Sequence, residues 1–126
     1  YMMEFLRAGQ SNPSPARIDD TIAPGATRTY ENVGETTFGL KGVLGALRVR
    51  ASADLAVAAR IYQQGEGQTA AATDGLFYAA VPSRFGIARG ESALLQGIRQ
   101  TTDFRTNLFV VESGEVEILG RVDVGE

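Results

Sequence analysis

Alternation of apolar and polar residues with a period of two is the feature that most constrains the fold of this chain. Leu47, Val49 and Ala51 fall on one side of an extended segment, and Arg48 and Arg50 fall on the other. This period is typical of a β-strand that has one face buried and one face in solvent. The segment therefore predicts a strand with a basic outer face.

Other segments share this β character and are separated by turn compositions. Residues 115–124 alternate Val or Ile with charged residues, and further predicted strands cover residues 2–8, 18–22, 26–33, 76–81 and 104–112. Clusters of proline and glycine between them favour turns, because proline fixes φ and glycine adopts positive φ at low cost. The pattern predicts an all-β sandwich or barrel, and 126 residues suffice for a single domain over residues 1–126.

A β-hairpin is predicted over residues 104–124, with its turn at the Ser-Gly pair at 113–114. Glycine at the second loop position suits a type I′ turn. A two-residue loop places apolar pairs on one face, and it pairs Leu108 with Leu119 on the opposite face. An apolar pair on the expected solvent side is either covered or part of a contact surface. Leu108 and Leu119 are therefore candidates for self-association.

Two segments are harder to assign. Residues 52–64 have a capping serine, many alanines and a following glycine, which favour a helix, whereas alternation and the β-branched Val57 and Ile61 favour a strand. The residues alone leave both alternatives open. Residues 31–44 contain several glycines and predict a long loop with one helical turn around 35–38.

The composition excludes several classes of chemistry. The chain has no cysteine and no histidine, so it lacks disulfides, thiolate nucleophiles, the usual general base and the commonest metal ligand. The formal net charge is −3, which does not favour binding to nucleic acid. No apolar run approaches the ~20 residues of a membrane-spanning helix, so we expect no membrane insertion.

No motif indicates a cofactor. A P-loop requires Lys followed by Ser or Thr, whereas Lys41 is followed by glycine and valine. Asp19 and Asp20 are adjacent, so on a strand they point to opposite faces, whereas calcium needs several spaced oxygen ligands. We interpret the pair as a solvated strand start. The expectation is a protein that is not an enzyme and holds no cofactor or metal.

One set of residues forms a candidate binding face. If the strands around residues 48 and 60 are neighbours, Arg48, Arg50 and Arg60 share an outer face, and Tyr62 has the same parity as Arg60. Such a cationic and aromatic surface suits an acidic glycan or a carboxylate, which guanidinium groups bind through paired hydrogen bonds. The alternative interpretation is that acidic residues on neighbouring strands neutralise these arginines.

Three pairs of stretches carry a family resemblance. They are IAPGA at 22–26 with YENV at 30–33, GALRV at 45–49 with ARIY at 59–62, and LQGIRQ at 95–100 with FRTNL at 104–108. In this order they resemble the repeated β-sandwich modules of large exported bacterial proteins. The resemblance implies an immunoglobulin-like antiparallel sandwich of about seven to nine strands. It also implies an extracellular or cell-envelope location, and it favours a strand over residues 52–64.

The two ends of the chain also resemble each other. Met-Glu-Phe-Leu at 3–6 matches Val-Glu-Ile-Leu at 116–119 in residue type. If both are the same strand of successive modules, the chain is out of phase with its repeat, with an N-terminal strand over 1–8 and a C-terminal hairpin over 104–124. We therefore expect neighbouring modules as partners, or a homodimer formed by strand exchange or hairpin contact.

The function expected from these features is non-catalytic. The leading hypothesis is a structural, adhesion or self-association module of an exported bacterial protein. The alternative is a module that binds carbohydrate or peptide through its Arg/Tyr face.

Overall fold

The structure is a computed structural model and describes residues 1–64, 73–103 and 106–112. Their regular secondary structure consists mostly of β-strands in two antiparallel sheets, with very little helix, so the predicted all-β class is confirmed. The chain divides into two compact units, Tyr1–Ala56 and Val57–Glu126, and each is described by itself. No helix of the described residues has the length and apolar character that a membrane span requires.

Unit 1 contains a three-stranded sheet. Its strands are β1 (Met2–Arg7), β2 (Ala16–Asp19) and β3 (Gly45–Arg50), in the order β2-β1-β3 with both pairings antiparallel. β3 is the strand that period-two alternation predicts, and β1 covers most of the strand predicted over 2–8. β2 is displaced from the strand predicted over 18–22. It begins two residues earlier, at Ala16, and ends three residues earlier, at Asp19.

The core of unit 1 lies on one face of the central strand. Met3 and Phe5 are the buried hydrophobic residues of the described chain. They alternate with Glu4 along β1, so their side chains point to the face opposite the charges. The Phe5 ring also packs on Phe38, with 5.8 Å between ring centroids. Phe38 lies in the connection between β2 and β3, and its ring therefore covers part of this face of the sheet.

The connection between β1 and β2 is closed by a side chain. The Asn12 Oδ1 accepts a hydrogen bond from the Arg7 N–H at 2.9 Å, and its Nδ2 donates to the Arg7 carbonyl at 3.0 Å. The amide of Asn12 thus satisfies both backbone groups of Arg7, as a neighbouring strand would.

A short helix interrupts the segment before β3. Helix α1 (Val33–Thr36) begins after Asn32, whose positive φ of 47° ends the extended backbone. The helical turn expected around 35–38 is therefore present two residues earlier. The strand predicted over 26–33 is wrong, because residues 26–31 have no regular structure and residue 33 is helical. Thr36 Oγ1 donates to the Glu31 carbonyl at 2.6 Å, which fixes the entry to the helix.

Unit 2 contains a two-stranded antiparallel sheet. Its strands are β4 (Ala58–Gln64) and β5 (Thr73–Ala79), and a 3-10 helix follows at Ser83–Phe85. The alternative left open for residues 52–64 is resolved as a strand from residue 58 onward. β5 covers most of the strand predicted over 76–81, which ends before Pro82.

The predicted C-terminal hairpin is described only in part. Residues 106–112 of its first strand have no strand assignment, and its turn and second strand lie outside the described residues. Thr106 Oγ1 donates to the Arg99 carbonyl at 3.0 Å and accepts from the Arg99 N–H at 3.1 Å. A threonine side chain therefore bonds the backbone groups that a paired strand would bond.

Candidate functional site

The outer face of the unit 1 sheet carries a row of charges. Residues in register across antiparallel strands share a face, so Glu4 lies between Arg17 on β2 and Arg48 on β3. Arg48 Nε donates to Glu4 Oε2 at 2.7 Å, and the Glu4 side chain is 11% exposed. The pair is mostly removed from water, which strengthens the attraction between its charges. Arg48 is thus engaged in holding β3 to β1.

A second ion pair lies on β2. Arg17 donates to both carboxylate oxygens of Asp19, with distances of 3.0 Å from Nε and 2.7 Å from Nη2. This hydrogen-bonded pairing lowers the pKa of Asp19 and raises the pKa of Arg17. Asp19 is paired with Arg17 but remains 63% exposed, and it lies at the end of β2 rather than at the start of a strand.

Asp20 is the centre of a polar cluster that joins three parts of unit 1. The Tyr30 hydroxyl donates to Asp20 Oδ2 at 2.5 Å, and the Thr21 N–H donates to Oδ1 at 2.7 Å. The Arg28 guanidinium lies 3.1 Å from the same carboxylate. The Tyr1 hydroxyl lies 2.5 Å from the Tyr30 hydroxyl. The carboxylate therefore holds the N-terminal residue and the loop before α1 against the end of β2.

The cluster shifts the titration of two of its members. The hydrogen bond from Tyr30, followed by those from the Thr21 N–H and Arg28, holds the pKa of Asp20 well below its usual range. Desolvation and the hydrogen bond to Asp20 raise the pKa of Tyr30 well above its usual value. A general acid needs a carboxyl group with a raised pKa, so Asp20 is shifted in the opposite direction. The direction of the shift at Asp20 favours the ionised carboxylate that these hydrogen bonds hold.

The lowered pKa of Asp20 predicts a loss of stability in acid. Folding favours the ionised carboxylate, so the contribution is fully present above the unfolded-state pKa of about 3.9 and is lost as pH falls through the folded-state value. We expect Tyr30→Phe to raise the pKa of Asp20, because it removes the strongest hydrogen bond to the carboxylate. An NMR titration of the Asp20 carboxyl carbon measures this shift, and equal titration midpoints in the two proteins would contradict it.

A broad depression borders this cluster. It has a volume of about 510 Å³, and its lining includes Tyr1, Asp20, Arg50 and Ser52. Arg50 is exposed and lies on the same face as Arg48, two residues along β3. One guanidinium, that of Arg50, and two carboxylates, those of Asp19 and Asp20, therefore line the same open space, where they contribute opposite charges.

The predicted Arg/Tyr face is divided between the two sheets. Arg48 and Arg50 lie on β3 of the three-stranded sheet, whereas Arg60 and Tyr62 lie on β4 of the two-stranded sheet. β3 pairs with β1, and β4 pairs with β5, so Arg60 is not a cross-strand neighbour of the other arginines. The neighbouring-strand arrangement on which the prediction depended is therefore not present in these pairings.

The two residues of that face on β4, Arg60 and Tyr62, contact each other. The Arg60 guanidinium carbon lies 5.3 Å from the centre of the Tyr62 ring, which is within the range of a cation–π interaction. Phe77 is the register partner of Arg60 on β5 and is 71% exposed. A cation therefore lies with two exposed aromatic side chains on one face of the sheet.

The opposite face of the β4–β5 sheet is apolar. Ile61 and Leu76 are register partners, and they are 62% and 64% exposed. Ala59 and Tyr78 form the next pair on the same face. We call these four residues the apolar face of unit 2. Its large side chains are uncovered, which is unusual for a soluble single chain.

Only one member of the predicted self-association pair, Leu108, lies within the described residues. Leu108 is 52% exposed, and Leu119 lies outside the described residues. The exposed neighbours Phe109, Val110 and Val111 extend this apolar stretch along the chain.

Sequence reasoning missed the Asp20 cluster. Tyr1 and Tyr30 are 29 positions apart, and their meeting depends on β2 running antiparallel to β1 and on the loop returning to the end of that strand. A pattern confined to neighbouring residues contains no signal of this kind. The adjacent acidic pair at 19–20 was visible in the sequence, but its two separate sets of partners were not.

Within the described ranges, no group of three or more acidic residues is placed to hold a metal ion. Comparison of the chain with protein-family models, with curated proteins and with solved structures found no significant match.

Proposed function

We propose that this protein is a non-catalytic structural module that acts by self-association or adhesion within an exported bacterial protein. The proposal includes an immunoglobulin-like sandwich architecture, supported by antiparallel pairing in both sheets and by the alternation of apolar and charged positions in β3. The exported location depends on the resemblance to repeated modules described above.

The apolar face of unit 2 is the observation that carries the proposal. A two-stranded antiparallel sheet is marginally stable by itself in water, so it gains stability when a partner covers its apolar side. Ile61 and Leu76 are both more than half exposed on that side. A second copy of this chain is the partner we propose. These four residues carry no charge, so the surface that they form is able to pack against the same surface of a second copy, as a two-fold symmetric interface requires.

The acidic side chains of unit 1 support a structural role. Glu4 bonds Arg48, Asp19 bonds Arg17, and Asp20 accepts hydrogen bonds from Tyr30 and the Thr21 backbone. Acid–base catalysis uses a carboxyl group whose pKa is raised toward neutrality. The pKa values of Asp19 and Asp20 are lowered instead, so both groups stabilise charge pairs.

Charge placed on the apolar face tests this function. We expect the wild-type protein to change from monomer to dimer as its concentration rises, measured by light scattering. Leu76→Glu is expected to raise the dimer dissociation constant by more than about tenfold, because association would bury an unpaired carboxylate. Leu94→Glu is the matched control at another exposed leucine, outside the strands. A wild-type protein that remains monomeric at every concentration would contradict self-association.

The alternative function, binding of an acidic carbohydrate or peptide, is favoured by the Arg60–Tyr62 pair. An exposed guanidinium beside aromatic rings suits a ligand that carries both a carboxylate and an apolar sugar face. We expect Arg60→Ala to weaken binding of an acidic oligosaccharide in a calorimetric titration. Arg84→Ala is the control, because Arg84 lies 4.7 Å from the ring centre of Phe85 in the 3-10 helix. Equal affinities for both variants would remove this alternative.

A further inference from the structure

Two tyrosine hydroxyls meet at one carboxylate in unit 1. The Tyr1 hydroxyl oxygen lies 2.5 Å from the Tyr30 hydroxyl oxygen, although the residues are 29 positions apart. Both hydroxyls also bond the same carboxylate oxygen, because Tyr30 donates to Asp20 Oδ2 at 2.5 Å and Tyr1 donates to it at 3.2 Å. The two phenol groups are therefore held in contact by a shared partner.

The backbone fixes both residues in this position. The Tyr1 nitrogen donates to the Asp20 carbonyl at 2.8 Å, and the Asp20 N–H donates to the Tyr1 carbonyl at 2.9 Å. This reciprocal pair continues the β1–β2 ladder by one position. On the other side, the Arg28 guanidinium lies 3.1 Å from the Asp20 carboxylate and holds the loop that carries Tyr30.

The pair is accessible to small molecules. Both tyrosines are half-buried, and Tyr1 lines the broad depression of about 510 Å³. Each phenol also has a base beside it. Removal of an electron makes a phenol O–H strongly acidic, so the electron leaves readily where a base takes the proton. Asp20 Oδ2 lies within hydrogen-bond reach of both hydroxyls, as such a base must.

We propose that Tyr1 and Tyr30 are a site of oxidative cross-linking, at which a one-electron oxidant such as the activated haem of a peroxidase joins the two phenol rings by a carbon–carbon bond. Each tyrosine gives one electron to the oxidant and one proton to Asp20, which passes the proton to water. The two radicals combine at the ring carbons beside their hydroxyls. The hydrogen on each of these carbons then moves to its own oxygen and restores the phenol. Two equivalents of oxidant are reduced, and the chain loses two hydrogen atoms.

The cross-link gives this chain a covalent closure that its composition otherwise denies it. The chain has no cysteine and therefore no disulfide. A covalent bond between residues 1 and 30 restricts the unfolded chain, and this effect grows with the length of the loop that is closed. All three residues belong to one copy, so the inference is independent of the proposed self-association.

The other two tyrosines of the chain provide a contrast. Tyr62 lies opposite Gly75 and Tyr78 lies opposite Ala59, so the two rings are on opposite faces of the β4–β5 sheet. They are 56% and 45% exposed. An oxidant is able to reach both, but the sheet keeps them from joining each other within one copy.

Photo-oxidation followed by mass spectrometry tests the proposal. The full chain is oxidised at low concentration by a small ruthenium photo-oxidant with persulfate, and the monomer band of a denaturing gel is digested. Trypsin cleaves after Arg7 and Arg28, so it places the two tyrosines on separate peptides, 1–7 and 29–41. We expect these peptides to be joined, with a mass two hydrogen atoms below their sum. Absence of the joined peptide from the monomer band would overturn the proposal.

Three controls separate the pair from random coupling. Tyr30→Phe is expected to abolish the joined peptide, whereas Tyr62→Phe combined with Tyr78→Phe is expected to leave its yield unchanged. Oxidation in concentrated urea is expected to lower the yield by about tenfold or more, because unfolding removes the proximity of the two phenols. A yield that is equal in urea, or lost in the Tyr62 and Tyr78 variant, would overturn the proposal.

Asp20→Asn tests the proton acceptor. An amide does not take the phenol proton, so we expect a yield several-fold below that of the wild type, and Asp19→Asn is the matched control with an unchanged yield. Acetate in the buffer is a substitute base and is expected to restore part of the yield of Asp20→Asn, which it would not do if the carboxylate only positioned the rings. Equal yields in both variants, or a loss that acetate leaves unchanged, would overturn the role of Asp20 as the base.

Discussion

Phe5→Ala is expected to remove most of the stability of unit 1. Phe5 is 8% exposed, it packs on the Phe38 ring, and with Met3 it makes up the buried hydrophobic residues of the described chain. Truncating a buried phenylalanine costs about 3–5 kcal/mol. A unit of the size of Tyr1–Ala56 has a total free energy of unfolding of about 3–8 kcal/mol. The expected loss is therefore comparable to the whole free energy of unfolding of unit 1.

Phe85→Ala is the matched control for this substitution. It makes the same chemical change at a side chain that is 68% exposed in unit 2. Urea unfolding is followed by NMR through the backbone amides of β1 and β4, which report on the two units separately. We expect Phe5→Ala to lower the unfolding midpoint of β1 strongly and Phe85→Ala to leave it unchanged. Equal shifts would show that the core of unit 1 lies elsewhere.

Gly45→Ala is expected to have the second largest effect. A Cβ at Gly45 would lie 2.2 Å from the Leu6 carbonyl oxygen and 2.6 Å from a ring carbon of Phe5. The first of these atoms is backbone in the paired strand, so the side chain is accommodated only if β1 and β3 separate. Overpacking of this kind costs about 1–3 kcal/mol and sometimes more.

Gly34→Ala provides a control with the opposite sign. Gly34 lies in α1, where a Cβ would meet only the Leu40 carbonyl oxygen at 3.4 Å. Alanine is favoured over glycine in a helix by up to about 1 kcal/mol. We therefore expect urea unfolding to give a lower free energy for Gly45→Ala and an equal or higher one for Gly34→Ala. A Gly45→Ala protein as stable as the wild type would contradict the close approach of β3 to β1.

Strands with strong alternation were predictable from the sequence. β3 follows the pattern closely, because Leu47 and Val49 lie on one face and Arg48 and Arg50 lie on the other. The parity of Arg60 and Tyr62 on β4 was also visible in their spacing. The strand that pairs with β4 was not predictable, because alternation describes a single strand and contains no information about its neighbour.

Two predicted strands are not strands in the described residues. The segment at 26–33 has β-forming residues, but its last residue begins helix α1, after Asn32 in the left-handed conformation. Residues 106–112 have no strand assignment, and the Thr106 side chain bonds the backbone of Arg99. β-propensity is weak and depends on context, so β-forming residues do not by themselves produce a strand.

The β class and the faces of the most regular strand follow from alternation and composition, which are properties of neighbouring or counted residues. The lack of histidine and cysteine restricts the chemistry in the same way. Other features depend on the fold: Arg48 pairs with Glu4, Arg60 lies in a different sheet, and Asp20 gathers Tyr1, Tyr30 and Arg28. Each of these depends on which strands pair and in which register, and pairing is decided by contacts between residues far apart in the chain.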